Sequence, residues 1–213
     1  MIINSNLTTN FTKKLGITLT AGALLFSASA VNSNTIQKLR QQDTFEYCEK
    51  TSVPPAGTNN INILKHAPSP KVKVEGKMRN AVIVVDISKN VLYHYDENGD
   101  AQMAYSVATG KKDTPTHIGV RIVSHVETYP YKTAPRSTKR RRNPRPYGPK
   151  AIILDKLNPE TGERSSYGEF IHGNNDATSI GKYKSQGCIR MDNEVIKELS
   201  KHVKRGDIVL VKD

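Results

Sequence analysis

The sequence predicts a mostly β domain with a single helix near its C-terminus. Three observations carry that reading: short β-branched runs recur between residues 81 and 173, turn-forming residues cluster between them, and only 192–206 carries apolar residues at helical spacing. No internal repeat or heptad pattern is visible.

The elements follow in order. AVIVVD (81–86) is a compact apolar run, SKN leads to VLYHYD (91–96), and AQMAYSVATG (101–110) completes a β-meander. Asn98 and Gly99, in DENGD, tolerate the positive φ of a tight hairpin. After the loop GKKDTPTHIG, VRIVSHVET (120–128) forms another strand. A basic, proline-rich stretch (129–150) interrupts the pattern, and AIILD (151–155) and EFIHG (169–173) resume it. The helix is capped by Asp192 or Asn193, carries Val195, Ile196, Leu199 and Val203 on its apolar stripe, has Lys197, Lys201, Lys204 and Arg205 in its later turns, and ends at Gly206. DIVLVK (207–212) is the last strand.

The N-terminal part reads differently. Lys13 and Lys14 precede the apolar run LGITLTAGALLFSASA, which ends in the small residues Ala28, Ser29 and Ala30, the pattern of a secretory signal over 1–30. Its apolar core, Leu15 to Phe26, is short for a hydrocarbon layer about 30 Å thick, so no transmembrane span is expected, although an uncleaved anchor is a rival reading. No lipid-attachment cysteine stands at the cut. Residues 31–77, with VPPAGTNN and HAPSPK, read as a linker or a loosely packed extension, and the folded domain is expected over 78–213.

Of a net charge of +12, removal of 1–30 takes away two lysines and no acid, leaving +10. An exported protein of that charge suits an anionic wall polymer or lipid surface. The densest run, Lys139 to Arg142, is either a solvated loop or part of such a surface. It comes without zinc-finger spacing, RNA-binding aromatics or a helix-turn-helix, so nucleic acid is not an expected partner.

The chemistry concentrates in HGNNDATSIGKYKSQGCIRM, residues 172–191. A structural zinc site needs about four ligands, and only His172 and Cys188 stand near each other here, so neither metal nor cofactor is expected. Two readings of Cys188 remain open: a disulfide with Cys48, or a nucleophile. Gly187 beside it favours the second, because a small neighbour admits a substrate carbonyl and backbone N–H groups can face the developing oxyanion. An ordinary thiol, with a pKa of about 8.5, then needs a base, and His172 at a strand end is the best candidate. Of the other histidines, His117, near a loop, is the least readily dismissed as structural.

These residues carry a resemblance. HG, SIG and SxGCIRM before a helix and a terminal strand resemble the L,D-transpeptidase (YkuD) catalytic domain, and so do VVDISKNVLYHYDENG, VATGKKDTPTHIG and NPRPYGPKAIIL upstream, over about residues 78–213. The resemblance implies a β-sandwich with a mixed sheet and a C-terminal helix after the catalytic cysteine. It also implies an exported enzyme of the periplasm or cell wall. In such domains the cysteine attacks the carbonyl of the third residue of a peptidoglycan tetrapeptide stem, expels D-Ala, and holds a thioester that an amine resolves, from a second stem or a wall-attached protein.

Carried over, Cys188 is the nucleophile, His172 the base, and the Gly173 carbonyl the third catalytic element. Gly187 and Cys188 N–H groups form the oxyanion hole, and Ser185, Arg190, Asn174 and Tyr147 contact substrate. The chain departs from the family pattern in Gln186, where many members have histidine, in Asn174, where many have Thr or Ser, and in Thr116 with His117, where Thr-Pro is usual. An L,D-carboxypeptidase or hydrolase would use the same cysteine and histidine, and a catalytically silent wall-binding module would use neither.

Overall fold

The structure, a computed structural model, describes residues 53–130 and 142–213. The expected signal at 1–30, Cys48, and the basic run as far as Arg141 lie outside the described residues.

The mostly β class, the mixed sheet and the short C-terminal helix are all present. Eight strands form one curled sheet in the order β11 (Ile189–Arg190), β9 (Arg164–His172), β8 (Lys150–Leu157), β7 (Gly119–Thr128), β12 (Ile208–Lys212), β3 (Ile83–Asp86), β4 (Val91–Tyr95), β5 (Ala101–Ser106). β3, β4 and β5 form the expected meander, while the last strand, β12, inserts between β3, to which it runs parallel, and β7, to which it runs antiparallel. A second parallel pair, β11 beside β9, closes the other end. Two short strands, β6 (Thr109–Gly110) and β10 (Tyr183–Ser185), pair in parallel outside the main sheet.

AVIVVD is apolar on both faces because β3 is covered on both. Ile83 and Val85 pack into the cluster that α2 (Asn193–Leu199) covers through Val195, Ile196 and Leu199. Val84 faces a second cluster, with Val91, Tyr93, Ile122 and Ile208. That cluster is covered by a segment expected to be a linker or loosely packed. From Val53 onward the chain packs on the sheet, α1 (Ile61–Leu64) forms a single turn, and β1 (Lys71–Val74) and β2 (Lys77–Asn80) make a hairpin. Glu75 and Gly76, with φ of 48° and 76°, supply its two-residue turn. Val53 and Val74 enter the core, and the Tyr95 hydroxyl donates to the Pro68 carbonyl.

The helix starts as expected, with the Asp192 side chain accepting from the N–H groups of Glu194 and Val195. It ends sooner, at Leu199 rather than near Gly206. The Ser200 hydroxyl takes the Lys197 carbonyl, and the N–H groups of Lys201 and His202 bond three residues back, to Glu198 and Leu199. These bonds tighten the last turn and stop propagation. Val203 stays buried, so the apolar stripe was read correctly although its last turn is not helical.

Candidate active site

The parallel β9 and β11 pair assembles the sequence-predicted residues. Ile189 lies opposite Ile171 and Arg190 opposite His172. Side chains alternate along a strand: Ile171 and Ile189 turn into the core, leaving His172 and Arg190 together on the other face. Cys188 stands one residue before β11, so the segments holding the thiol and the imidazole are neighbours although sixteen residues apart in sequence.

His172 is 3% exposed. Its Nδ1 is hydrogen-bonded to the Gly173 carbonyl, which can only accept, so the neutral ring carries its proton on Nδ1 and its lone pair on Nε2. Burial lowers the imidazole pKa to about 4; hydrogen bonding to the carbonyls of Gly173 and Tyr147 opposes the shift, and the Arg190 charge adds to it. At neutral pH the ring is therefore an uncharged base. The Tyr147 ring, 5.1 Å away between centroids, packs against it.

The carbonyl of Gly173 is aimed by a tight backbone cluster. Asn193 in α2 donates from Nδ2 to the Asn174 carbonyl and accepts from the Asn174 N–H, both at 2.9 Å. A Cβ on Gly173 would stand 2.3 Å from Asn193 Oδ1, and one on Gly148 would stand 2.7 Å from the Gly173 Cα, so this crossing admits only glycine at both positions.

Three of the expected site groups are engaged within the backbone. Asn174 is buried, donating to the Met191 carbonyl at 2.7 Å and accepting from the Asp176 N–H at 2.8 Å, so its side chain is held in the loop after β9. Ser185 is fully buried, and its hydroxyl accepts from the Gly187 N–H at 3.1 Å. Ser185 thus shapes the turn before Cys188, and the Gly187 N–H, expected in the oxyanion hole, is already engaged.

Cys188 opens into a cavity of about 470 Å³ whose walls include Pro115, His117, Tyr167, Glu169 and Gln186. Its thiol lies 3.9 Å from the Gly168 carbonyl. Thr116 ties the opposite loop to this turn, accepting from the Gly110 N–H and donating to the Gly187 carbonyl, both at 2.8 Å. Beneath the cavity lies a network that sequence reading missed: Glu169 Oε2 accepts from Arg121 Nε at 3.0 Å, and Oε1 accepts from the His117 N–H at 3.1 Å. Arg121 and Glu169 are 1% and 4% exposed. The available signal was a pair of opposite charges inside two apolar strands, VRIVSHVET and EFIHG.

A family model for the L,D-transpeptidase catalytic domain, YkuD, matches residues 80–211. The chain belongs to this family. YqjB of Bacillus subtilis, provisionally named an L,D-transpeptidase, is 35% identical over 109 residues, covering 51% of this chain and 58% of its own. YkuD of Bacillus licheniformis, similarly named, is 35% identical over 129 residues, covering 61% and 64%. The chain thus spans less than two thirds of the length of these relatives. Among solved structures, a variant of the Enterococcus faecium L,D-transpeptidase is 26% identical with a TM-score of 0.42, covering 62% of this chain and 49% of that one. Bd1075 of Bdellovibrio bacteriovorus is 23% identical with a TM-score of 0.47, covering 69% and 53%. Among the described residues no helix is long and apolar enough to cross a membrane, and no three His, Cys, Asp or Glu side chains gather as metal ligands.

Proposed function

We propose that this protein is an exported L,D-transpeptidase acting on peptidoglycan, with Cys188 as nucleophile and His172 as its base. The observation that carries the reading is the β9 and β11 register, which puts the segment bearing Cys188 beside a buried imidazole held by the Gly173 carbonyl. Such an imidazole, neutral at physiological pH, takes the thiol proton as sulfur attacks the carbonyl of the third stem residue. A tetrahedral intermediate forms, its oxygen facing the Cys188 N–H. The Gly187 N–H joins only by releasing Ser185. Collapse expels D-alanine, whose nitrogen regains the proton from His172, and leaves a thioester on Cys188. An acceptor amine then displaces the sulfur, giving a cross-link or a wall attachment. Arg190 and Tyr147, beside His172, complete the site toward the stem peptide.

Incubation with disaccharide-tetrapeptide tests this, with products read by mass spectrometry. The wild type should release D-alanine and give cross-linked dimer, and Cys188→Ala should give neither. Tripeptide without dimer would mean that water is the acceptor. Absence of all three products from the wild type would end the enzyme reading.

A further inference from the structure

The cavity beside Cys188 holds a second imidazole, on the loop before β7 and away from His172. His117 Nδ1 lies 3.1 Å from Glu169 Oε1, the same oxygen that accepts the His117 backbone N–H. The carboxylate is itself held by Arg121 Nε, and Arg121 Nη2 donates to the His117 carbonyl at 3.0 Å. Both backbone groups and one ring nitrogen of His117 are thus fixed by one buried ion pair. A carboxylate facing Nδ1 keeps the proton there, which leaves the lone pair on Nε2. The Tyr167 ring packs edge-on against the imidazole at 5.3 Å and limits its rotation. Yet the His117 side chain is 55% exposed and lines the same cavity as Cys188, whereas His172 does not line it.

We propose that His117 is a second catalytic base, serving the amine that resolves the thioester; this rests on the transpeptidase reading above. A thiol and an amine lose their protons at different stages, and an acceptor that comes in through the cavity meets His117, which lines it, before His172, which does not. His172, buried beside the segment that carries the thiol, suits the first; His117, facing the cavity that Cys188 opens into, suits the second. In this step the acceptor nitrogen forms the C–N bond to the thioester carbonyl and its surplus proton passes to His117 Nε2. The C–S bond breaks, and its electron pair leaves on the Cys188 sulfur. The sulfur is reprotonated from solvent, and His117 returns its proton to solvent. The other ionisable groups facing this ring are Glu169, Tyr167, Asp113 and Cys188, with Arg121 behind Glu169.

The two half-reactions are measured separately on the full chain. In His117→Gln, D-alanine release in the first turnover should stay within about twofold of wild type. Transfer of the acyl group to a stem amine should slow by about a hundredfold, the range of a lost general base. Hydroxylamine, an alpha-nucleophile that is mostly unprotonated at neutral pH and whose adduct is acidic enough to give its surplus proton to water, should discharge the acyl-enzyme of variant and wild type at equal rates. Arg121→Met combined with Glu169→Gln, which takes the charge from the ring's partner without leaving a buried ion unpaired, should give an intermediate loss that hydroxylamine also abolishes. Unchanged transfer in His117→Gln would overturn the proposal, and so would a loss that hydroxylamine fails to rescue, which marks damage to the site. Failure of the wild type to release D-alanine would instead overturn the transpeptidase reading itself.

Discussion

Arg190 lies directly opposite His172 in the parallel pair of β11 and β9, so a permanent positive charge shares a sheet face with a buried imidazole. Both burial and this charge disfavour the imidazolium, and burial is the larger cause. Replacing Arg190 by Gln should therefore raise the His172 pKa from about 4, yet leave it below the usual value of 6.5. An NMR titration of the imidazole protons reads this directly. A return to 6.5 would mean that charge, not burial, sets the value.

The same shift makes stability depend on pH. The unfolded chain protonates this ring near pH 6.5 and the folded chain near 4, so between those values the unfolded state binds more protons. The stability associated with the neutral ring is intact above about pH 6.5 and is lost as pH falls toward about 4, by a few kcal/mol at 1.36 kcal/mol per pKa unit. Urea denaturation at several pH values should show this slope in wild type and a flatter one in His172→Gln. Parallel slopes would contradict the assignment.

The turn before Cys188 depends on Ser185. Replacing it by Ala leaves the Gly187 N–H without its present acceptor inside a buried turn, which should cost about 1–3 kcal/mol in unfolding free energy. Gly187→Ala should cost a similar amount for another reason. Its φ is +105°, strained for any residue with a Cβ, although that Cβ would meet only the Pro115 carbonyl oxygen at 3.5 Å. Both variants should also slow acylation, because they move the backbone that carries the thiol. A stability within about 0.5 kcal/mol of wild type in Ser185→Ala, the ordinary range for an inconsequential change, would show that the N–H finds another partner.

What was legible in the sequence was what is local. The meander, the capped helix and the strand-end His172 each announce themselves within a few residues, and Cys188 beside Gly187 does so too. How side chains engage the backbone was not legible. The family resemblance pointed Ser185 and Asn174 toward substrate; in the fold the Ser185 hydroxyl accepts from the Gly187 N–H two residues on, and the Asn174 amide donates to the Met191 carbonyl seventeen residues away. Residues 53–77 looked like a linker because of their prolines and small polar residues, yet Val53 and Val74 enter the second cluster, and Ile63, Leu64, Ala67 and Val72 pack against it. Glu169 passed as part of an apolar strand, since its partner Arg121 lies 48 residues away.

That partnership sets the last prediction. Arg121 and Glu169 are almost wholly buried, so removing one charge leaves the other desolvated with reduced compensation. Arg121→Met should destabilise the domain by about 3–5 kcal/mol. Glu169→Gln in the same chain should recover much of that loss, because the amide can still accept the His117 N–H through its oxygen while no longer needing a counter-charge. The recovery is measured by urea denaturation of the two single variants and the double variant, and the coupling energy isolates the pair from other contacts of each side chain. Additive losses would mean that Arg121 acts through its bonds to the carbonyls of Val120 and His117 rather than through Glu169. Positive coupling would identify the ion pair as the anchor of the His117 loop, and the loop's geometry beside Cys188 as a consequence of a charge pair buried beneath it.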